Sequence, residues 1–212
     1  AARYVRETNG GKQIIPTIVF PDGSFLAEPS NAELAQKLGL QLRAERTFYD
    51  LLIVGGGPAG LTAAIYAARE GIDSLIIERS ALGGQAGVTE RVENFPSYPE
   101  GVGGAELAER LIAHAKRYGV EMLSAVGVAE ITECPGYLLV NTDQGDEYCA
   151  KSVLIATGSS YRRLGVPGEE DLYGAGIHNC ATCDGPFYQG ADEILVVGGG
   201  NSGAEEGLFL TR

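Results

Sequence analysis

Apolar positions along the chain fall into short runs of two kinds, and their alternation predicts the architecture. Tyr49–Val54 is brief and largely apolar and β-branched, the pattern of a buried parallel strand, and Ile72–Ile77 and Ser152–Ala156 read as further short apolar strands. Between the first two, Pro58 to Arg69 reads as a helix ended by Gly71. From Ala105 to Tyr118 the period is helical, with Leu107 and Leu111 at i, i+4, Ile112 and Ala115 alongside, and Gly119 closing it. Residues 121–150 read as three short strands parted by Pro135-Gly136 and Asp143-Gln144-Gly145, an antiparallel meander. Ahead of these, residues 1–40 predict a small β-β-α unit. It comprises an apolar run from Ile14 to Phe20 broken by Pro16, a Pro21-Asp22-Gly23-Ser24 turn, and a helix through Leu34 and Leu38. Ser30 and Glu33 are spaced as its capping box and Gly39 follows its end. Residues 41–48 are polar and read as a linker. Gly83-Gly84-Gln85 and the stretch around Asn94 sit in irregular, glycine- and proline-punctuated loop. Beyond Arg163 the chain turns to loop again, until Glu193–Val197 predicts one more strand leading into a last helix.

The expected fold class is α/β. Residues 49–162 form a Rossmann-like domain with a three-stranded β-meander, and residues 163–212 carry the start of a second Rossmann domain. Glycine supplies the reason, since the 31 glycines cluster in short runs that precede apolar helices. In Gly55-Gly56-Gly57-Pro58-Ala59-Gly60, Gly55 permits the tight turn, Gly57 lets backbone approach a pyrophosphate, and Gly60 lets helix pack on strand. The helix start supplies unpaired N–H groups and positive dipole for that pyrophosphate. Glu78 follows the second strand, placed to accept from ribose hydroxyls. Gly198-Gly199-Gly200-Asn201-Ser202-Gly203 repeats the opening, but the sequence stops at Arg212 before a second strand. The expectation is half of a second nucleotide site and a chain that is a piece of a longer protein.

Between the two loops lies Cys180-Ala181-Thr182-Cys183-Asp184. Thiols two residues apart can close and reopen a small-ring disulfide, storing two electrons, and the aspartate adds a proton-transfer group. A thiol at a helix start has its pKa lowered from ~8.5 towards ~7. Two other readings stay open here: a purely structural disulfide, and a zinc site with His178, Cys180 and Cys183 as ligands. No fourth ligand is spaced to finish the latter, so no metal is expected. His178 reads as a loop residue, His114 as helix scaffold, and Cys134 and Cys149 as small hydrophobes.

Charge narrows the partners. With 28 acidic and 16 basic residues the net charge is −12, which repels phosphate backbones and anionic bilayers. Neither nucleic acid nor membrane is expected as a partner. No apolar run approaches the ~20 residues of a membrane span, and no signal segment opens the chain, which begins at Ala1. Four cysteines with one close pair fit cytosolic redox chemistry rather than a secreted scaffold, so the expected compartment is the cytoplasm.

Taken in order, GGGPAG, Glu78, the GGQ and VEN segments, the IATG strand end, CATCD and GGGNSGAEE resemble the low-molecular-weight thioredoxin reductases over roughly residues 49–212. The resemblance implies FAD on the first loop and NADPH on the second, with NADH left open because Gly203 stands where NADP-preferring loops often have Ala. It also implies a homodimer in the parent protein. By position, Gly55, Gly57, Pro58, Ala59 and Gly60 would hold the FAD pyrophosphate and Glu78 its ribose. Gly84, Gln85 and Asn94 would lie along the flavin, with Thr157 and Gly158 beside it. Gly198, Gly200, Asn201, Ser202 and Gly203 would face the nicotinamide nucleotide. Cys183 would exchange electrons with the flavin, Cys180 would attack a protein disulfide, and Asp184 would act as general acid/base. Electrons would run from NAD(P)H through FAD and the dithiol to thioredoxin or a glutaredoxin-like protein. Residues 1–40 resemble the C-terminal half of a glutaredoxin- or thioredoxin-like domain, with Ile15-Pro16-Thr17 at its cis-proline step. Two alternatives accompany this reading: a relative of the alkyl hydroperoxide reductase flavoprotein subunit, and a catalytically silent flavin-binding fragment. The family's C-terminal FAD segment and its NADPH-reading basic cluster have no counterpart here, so these 212 residues alone are not expected to turn over with NADPH.

Overall fold

In this computed structural model residues 2–89, 91–92, 94–172 and 176–211 are described; the side chains of Ala2, Arg3, Tyr4, Thr182, Cys183, Pro186 and Phe187 fall outside that description. Two compact units emerge: residues 1–88 with 104–158, and residues 89–103 with 159–212.

The first unit opens with a helix the sequence pattern did not predict, α1 (Ala2–Thr8). The expected β-β-α follows as β1 (Thr17–Val19), β2 (Phe25–Ala27) and α2 (Asn31–Lys37). The first strand is shorter than the apolar run that announced it, and the Ile15–Pro16 peptide is cis. The capping box is formed on both sides. Ser30 Oγ accepts from Glu33 N at 3.2 Å, and Glu33 Oε2 accepts from Ser30 N at 2.8 Å. The Ser30 N–H, and then the Ser30 hydroxyl donating to the same Oε2 at 2.8 Å, hold the Glu33 carboxyl below its usual range.

The central sheet has the order β5-β4-β3-β8-β7-β6. Its strands are β3 (Phe48–Val54), β4 (Ser74–Glu78), β5 (Glu121–Ser124), β6 (Val128–Cys134), β7 (Tyr137–Thr142) and β8 (Glu147–Ile155). Helices α3 (Pro58–Arg69), α4 (Gly84–Val88) and α5 (Gly104–Arg117) connect them. Strands β5, β4, β3 and β8 run parallel, while β6, β7 and β8 pair antiparallel.

Alternation along the parallel strands sorts the core onto two faces. Ile53, Ile76 and Met122 face α3 and α5, packing with Leu61, Ala64, Ile65 and Ala115. Leu52, Leu75, Ile77 and Leu123 face the other way, with Val140, Tyr148 and Ala150 of the meander. Covering on both faces is why these strands read as unbroken apolar runs.

Three expectations are corrected here. The segment at 121–124 does not belong to the meander. The helix between them, α5, brings it back parallel to β4, as a helical crossover between parallel strands does. The meander is instead β6-β7-β8, and its third strand fuses with the separate strand expected at Ser152–Ala156. The loop at Gly84-Gln85 is the short helix α4.

The linker is pinned to the sheet. Glu121 accepts from Gln41 Nε2 at 2.7 Å, from Glu45 N at 2.5 Å and from Tyr49 Oη at 2.5 Å, while Ala44 N donates to Tyr148 Oη at 3.0 Å. Burial, and then this bond to Glu121, push the Tyr49 phenol well above its ordinary pKa.

The second unit contains α6 (Glu169–Leu172), α7 (Ala181–Asp184), a single 3-10 turn (Gly185–Tyr188) and α8 (Asn201–Leu210). The strand expected at Glu193–Val197 is not formed. A strand needs a neighbour to complete its ladder, and no described segment pairs with it; Leu195 is 87 % exposed and Val197 60 %. Among the described residues no helix is long and apolar enough to cross a membrane.

Candidate dinucleotide loop and dithiol site

The first glycine loop joins β3 to α3. Gly55 adopts φ 111°, and a Cβ there would collide with the Ala156 carbonyl at the end of β8. A Cβ on Gly60 would collide with the Gly55 carbonyl, so helix and strand touch through backbone alone. Gly57 differs: it is the extended N-cap of α3, and a Cβ there would meet only Gly84 Cα, at 4.0 Å. Pro58 occupies the first helical position and no side chain caps the helix. The first intrahelical bond is Leu61 N to Gly57 O at 2.9 Å, so the N–H groups of Ala59 and Gly60 have no helical acceptor.

Glu78 closes the loop from the end of β4 and is buried. Its Oε2 accepts from Gly56 N at 2.8 Å, and its Oε1 accepts from Ser80 N and Ser80 Oγ, each at 2.9 Å. Gly83 N donates to Gly56 O at 2.8 Å, bringing α4 with Gly84 and Gln85 alongside the loop. Thr157 and Gly158 follow β8 on the same rim, Gly158 at φ 68°. Of the residues assigned to the flavin, Asn94 alone lies in the second unit.

The second glycine loop repeats the first. Gly198 takes φ 140°, Gly200 is the extended N-cap of α8 without a side-chain cap, and a Cβ on Gly203 would press on the Gly198 carbonyl. Ala204 N to Gly200 O, at 3.1 Å, is the first helical bond. The N–H groups of Asn201, Ser202 and Gly203 therefore have no acceptor within the helix. Thus the local loop-to-helix geometry is present although no strand is formed before it.

The dithiol segment is in the same unit. Cys180 is disulfide-bonded; the Cys183 side chain lies outside the described residues. Cys134 and Cys149 are free thiols. Asp184 ends α7, its N–H donating to Cys180 O at 3.0 Å. The start of α7 is tied to α8, with Ala181 N donating to Glu206 Oε2 at 2.9 Å. His178, expected as a loop residue without a role, has a polar neighbour at each ring nitrogen: Nε2 hydrogen-bonds Tyr188 Oη at 2.7 Å, and Nδ1 lies within ion-pair distance of Asp184 Oδ2, at 3.3 Å.

The sequence profile described as pyridine nucleotide-disulphide oxidoreductase matches residues 49–212. The chain belongs to that family. It is 45% identical over 170 residues to thioredoxin reductase of Bacillus subtilis (strain 168), covering 80% of this chain and 52% of that protein. It is 43% identical over 169 residues to the bifunctional thioredoxin reductase/thioredoxin of Mycobacterium leprae (strain TN), covering 80% and 36%. The crystal structure of thioredoxin reductase from Streptococcus pyogenes MGAS5005 superposes with a TM-score of 0.62 at 45% identity, covering 78% of this chain and 53% of that one. The chain spans about half the length of the curated thioredoxin reductases it matches.

The sequence pattern did not mark Ser80, Leu82, Tyr188 and Glu206, which the folded chain brings to these sites. Leu82 roofs the loop, since a Cβ on Gly56 would meet its Cδ2 at 2.5 Å. Ser80, two residues after the acid, was open to notice as a local donor. Tyr188 and Glu206 gave no signal, because their roles depend on folding distant segments together.

Proposed function

We propose that this chain is the flavin-binding and dithiol-bearing part of an NAD(P)H-dependent disulfide reductase whose substrate is the disulfide of thioredoxin or a glutaredoxin-like protein. The observation that carries it is the coexistence of two glycine loops of one geometry with a disulfide-bonded Cys180 in a CxxC.

The first loop fits a dinucleotide on its own geometry: open space at Gly57, two N–H groups without helical acceptors at Ala59 and Gly60, and the buried Glu78 carboxylate beside the turn. Gly55, Gly57, Pro58, Ala59 and Gly60 would hold the FAD pyrophosphate, Glu78 the ribose, and Gly84, Gln85, Asn94, Thr157 and Gly158 the flavin side. FAD bound there supplies a two-electron junction between nicotinamide and disulfide. Gly198, Gly200, Asn201, Ser202 and Gly203 would receive NADPH or NADH.

The remaining chemistry belongs to the chain. The Cys180 thiolate attacks one sulfur of the partner's disulfide; that S–S bond breaks, a mixed disulfide forms, and the partner's second sulfur leaves as thiolate. Asp184 hands that thiolate a proton. The Cys183 thiolate then attacks Cys180, closing the CxxC disulfide and releasing the reduced partner. The Mycobacterium leprae relative, named for both a reductase and a thioredoxin, supports thioredoxin as that partner.

Trapping tests this order. The reduced Cys183→Ser variant, mixed with oxidised thioredoxin, should accumulate a mixed disulfide through Cys180, whereas Cys180→Ser should give none. If both variants leave thioredoxin untouched, or both trap equally, the assignment fails.

A further inference from the structure

His178 has no part in the reading above, yet its imidazole links two groups beside the CxxC. Nδ1 lies 3.3 Å from Asp184 Oδ2, Nε2 lies 2.7 Å from Tyr188 Oη, and the two rings meet edge-on with centroids 5.2 Å apart. All three side chains are half-buried. We propose that His178 is a positioning residue of the dithiol site: with Tyr188 behind it, it holds the Asp184 carboxyl in place and lets it exchange one proton without losing a hydrogen bond. The proposal rests on reading Asp184 as the group that protonates a departing thiolate.

A neutral imidazole has one donor and one acceptor nitrogen. With Asp184 ionised, Nδ1–H donates to Oδ2 and Nε2 accepts from the Tyr188 hydroxyl. When Asp184 takes up a proton, its O–H donates to Nδ1, and Nε2–H donates to Tyr188 Oη. Both states keep two hydrogen bonds, and the added proton is accommodated by a change of imidazole tautomer. A half-buried carboxyl without such a partner would lose a bond in one of its two states, at the expense of its readiness to give up the proton. The elements packed on α7 are the 3-10 turn, carrying Tyr188, and α8. Of the acids on α8, Glu206 is bonded to Ala181 N and Glu205 is exposed. Asp184 itself follows Cys180 by one helical turn, through its N–H to the Cys180 carbonyl. Holding its carboxyl therefore acts on the group nearest the dithiol in the chain.

Two measurements test this. First, the reduced full chain, in a Cys134→Ser, Cys149→Ser background so that only the CxxC reacts, is offered two disulfides. An aromatic disulfide releases a thiolate stable without a proton; oxidised glutathione releases an alkyl thiolate of pKa ~8.5 that needs one. His178→Ala and Tyr188→Phe should slow exchange with oxidised glutathione about tenfold, a part of the ~10²–10⁴-fold a positioned acid supplies, and leave the aromatic disulfide unaffected. His178→Asn, whose amide can replace the Nδ1 donor, should recover part of the loss. Second, the two histidines of the chain give two imidazole signal sets in 15N-histidine-labelled protein. His178 should carry its proton on Nδ1 near neutral pH, and Asp184→Asn should change the tautomer signature of its ring nitrogens but not that of His114. Equal effects on both disulfides, no effect on either, or a His178 indifferent to Asp184→Asn would each overturn the positioning role. In those cases a wild-type dithiol that still reduces disulfides keeps the reductase reading. A wild-type dithiol that reduces neither disulfide overturns both.

Discussion

Gly57 and Gly60 sit three residues apart in one loop and answer to different forces. A Cβ on Gly60 would run into the Gly55 carbonyl and approach Ile53 Cγ2 to 3.2 Å. Backbone cannot yield there without separating α3 from β3, so Gly60→Ala should destabilise the chain by about 1–3 kcal/mol, read from urea unfolding. Gly57 has ordinary extended dihedrals and room for a methyl. Gly57→Ala should cost less than about 1 kcal/mol in the same melt, as an N-cap exchange does. It should nevertheless weaken FAD binding about tenfold by flavin fluorescence, because the methyl fills the space a pyrophosphate needs. If both variants lost stability equally, the division of labour would be wrong. Tyr49 gives a second prediction at this scale. Its buried phenol donates to Glu121 and its pKa is raised, so its contribution to stability is whole below the ordinary value near 10 and is lost as pH rises above it. Of the ten tyrosines, Tyr49, Tyr137 and Tyr148 should ionise late in an alkaline absorbance titration, with Tyr49 in the last step. Tyr49→Phe should abolish that last step and cost about 1.5–3 kcal/mol at neutral pH, the range for a hydrogen bond to a charged group.

Elements were legible where the reason for them is local. The α3 boundaries and the Ser30–Glu33 cap follow from glycine, proline and side-chain spacing within a few residues, and the structure has them where the pattern placed them. Strand partners were not legible, because a hydrogen-bond ladder is settled by which segments meet. The run at 121–124 was grouped with the hairpins that follow it, although the amphipathic α5 before it already implied a crossover and a parallel partner. The run at 193–197 has the composition of a strand and no described neighbour to pair with. The same limit applies at the site: the glycine loops and the CxxC announce themselves, while the His178 link to Asp184 needs the turn that brings Tyr188 back. Hydrogen exchange measures this difference. Amides of Leu52 and Ile53 in β3, flanked by β4 and β8, should open only with global unfolding, whereas those of Ile194–Val197 should exchange at rates near an unfolded chain. Strong protection at 194–197 in this chain would mean the strand is paired after all.

At the scale of the molecule, burial is divided unevenly. Both apolar clusters, from Tyr49 to Ala150 and from Ile53 to Met122, belong to the first unit. Of the described residues of the second unit only Val102 and Glu169 are buried, while Ile194, Leu195, Val197, Leu208 and Phe209 are exposed. Apolar surface removed from water yields roughly 25 cal/mol per Å², so the two units cannot share one stability. Heating should show a cooperative transition of the first unit, with an enthalpy on the order of 100 kcal/mol for its size. The second unit should lose structure at lower temperature with little heat. Near-ultraviolet circular dichroism, or a fluorophore on Cys149 in β8 against one beside α8, separates the two. Salt adds a second handle. A net charge of −12 repels itself in the compact state, and at physiological ionic strength such repulsion is screened beyond about 8 Å. Raising salt from a few millimolar to that level should therefore lift the first unit's melting temperature by a few degrees, since about 1 kcal/mol moves a domain of this size by roughly 2–4 °C. A single sharp transition reported identically by both probes would instead mean that the second unit draws its stability from the sheet.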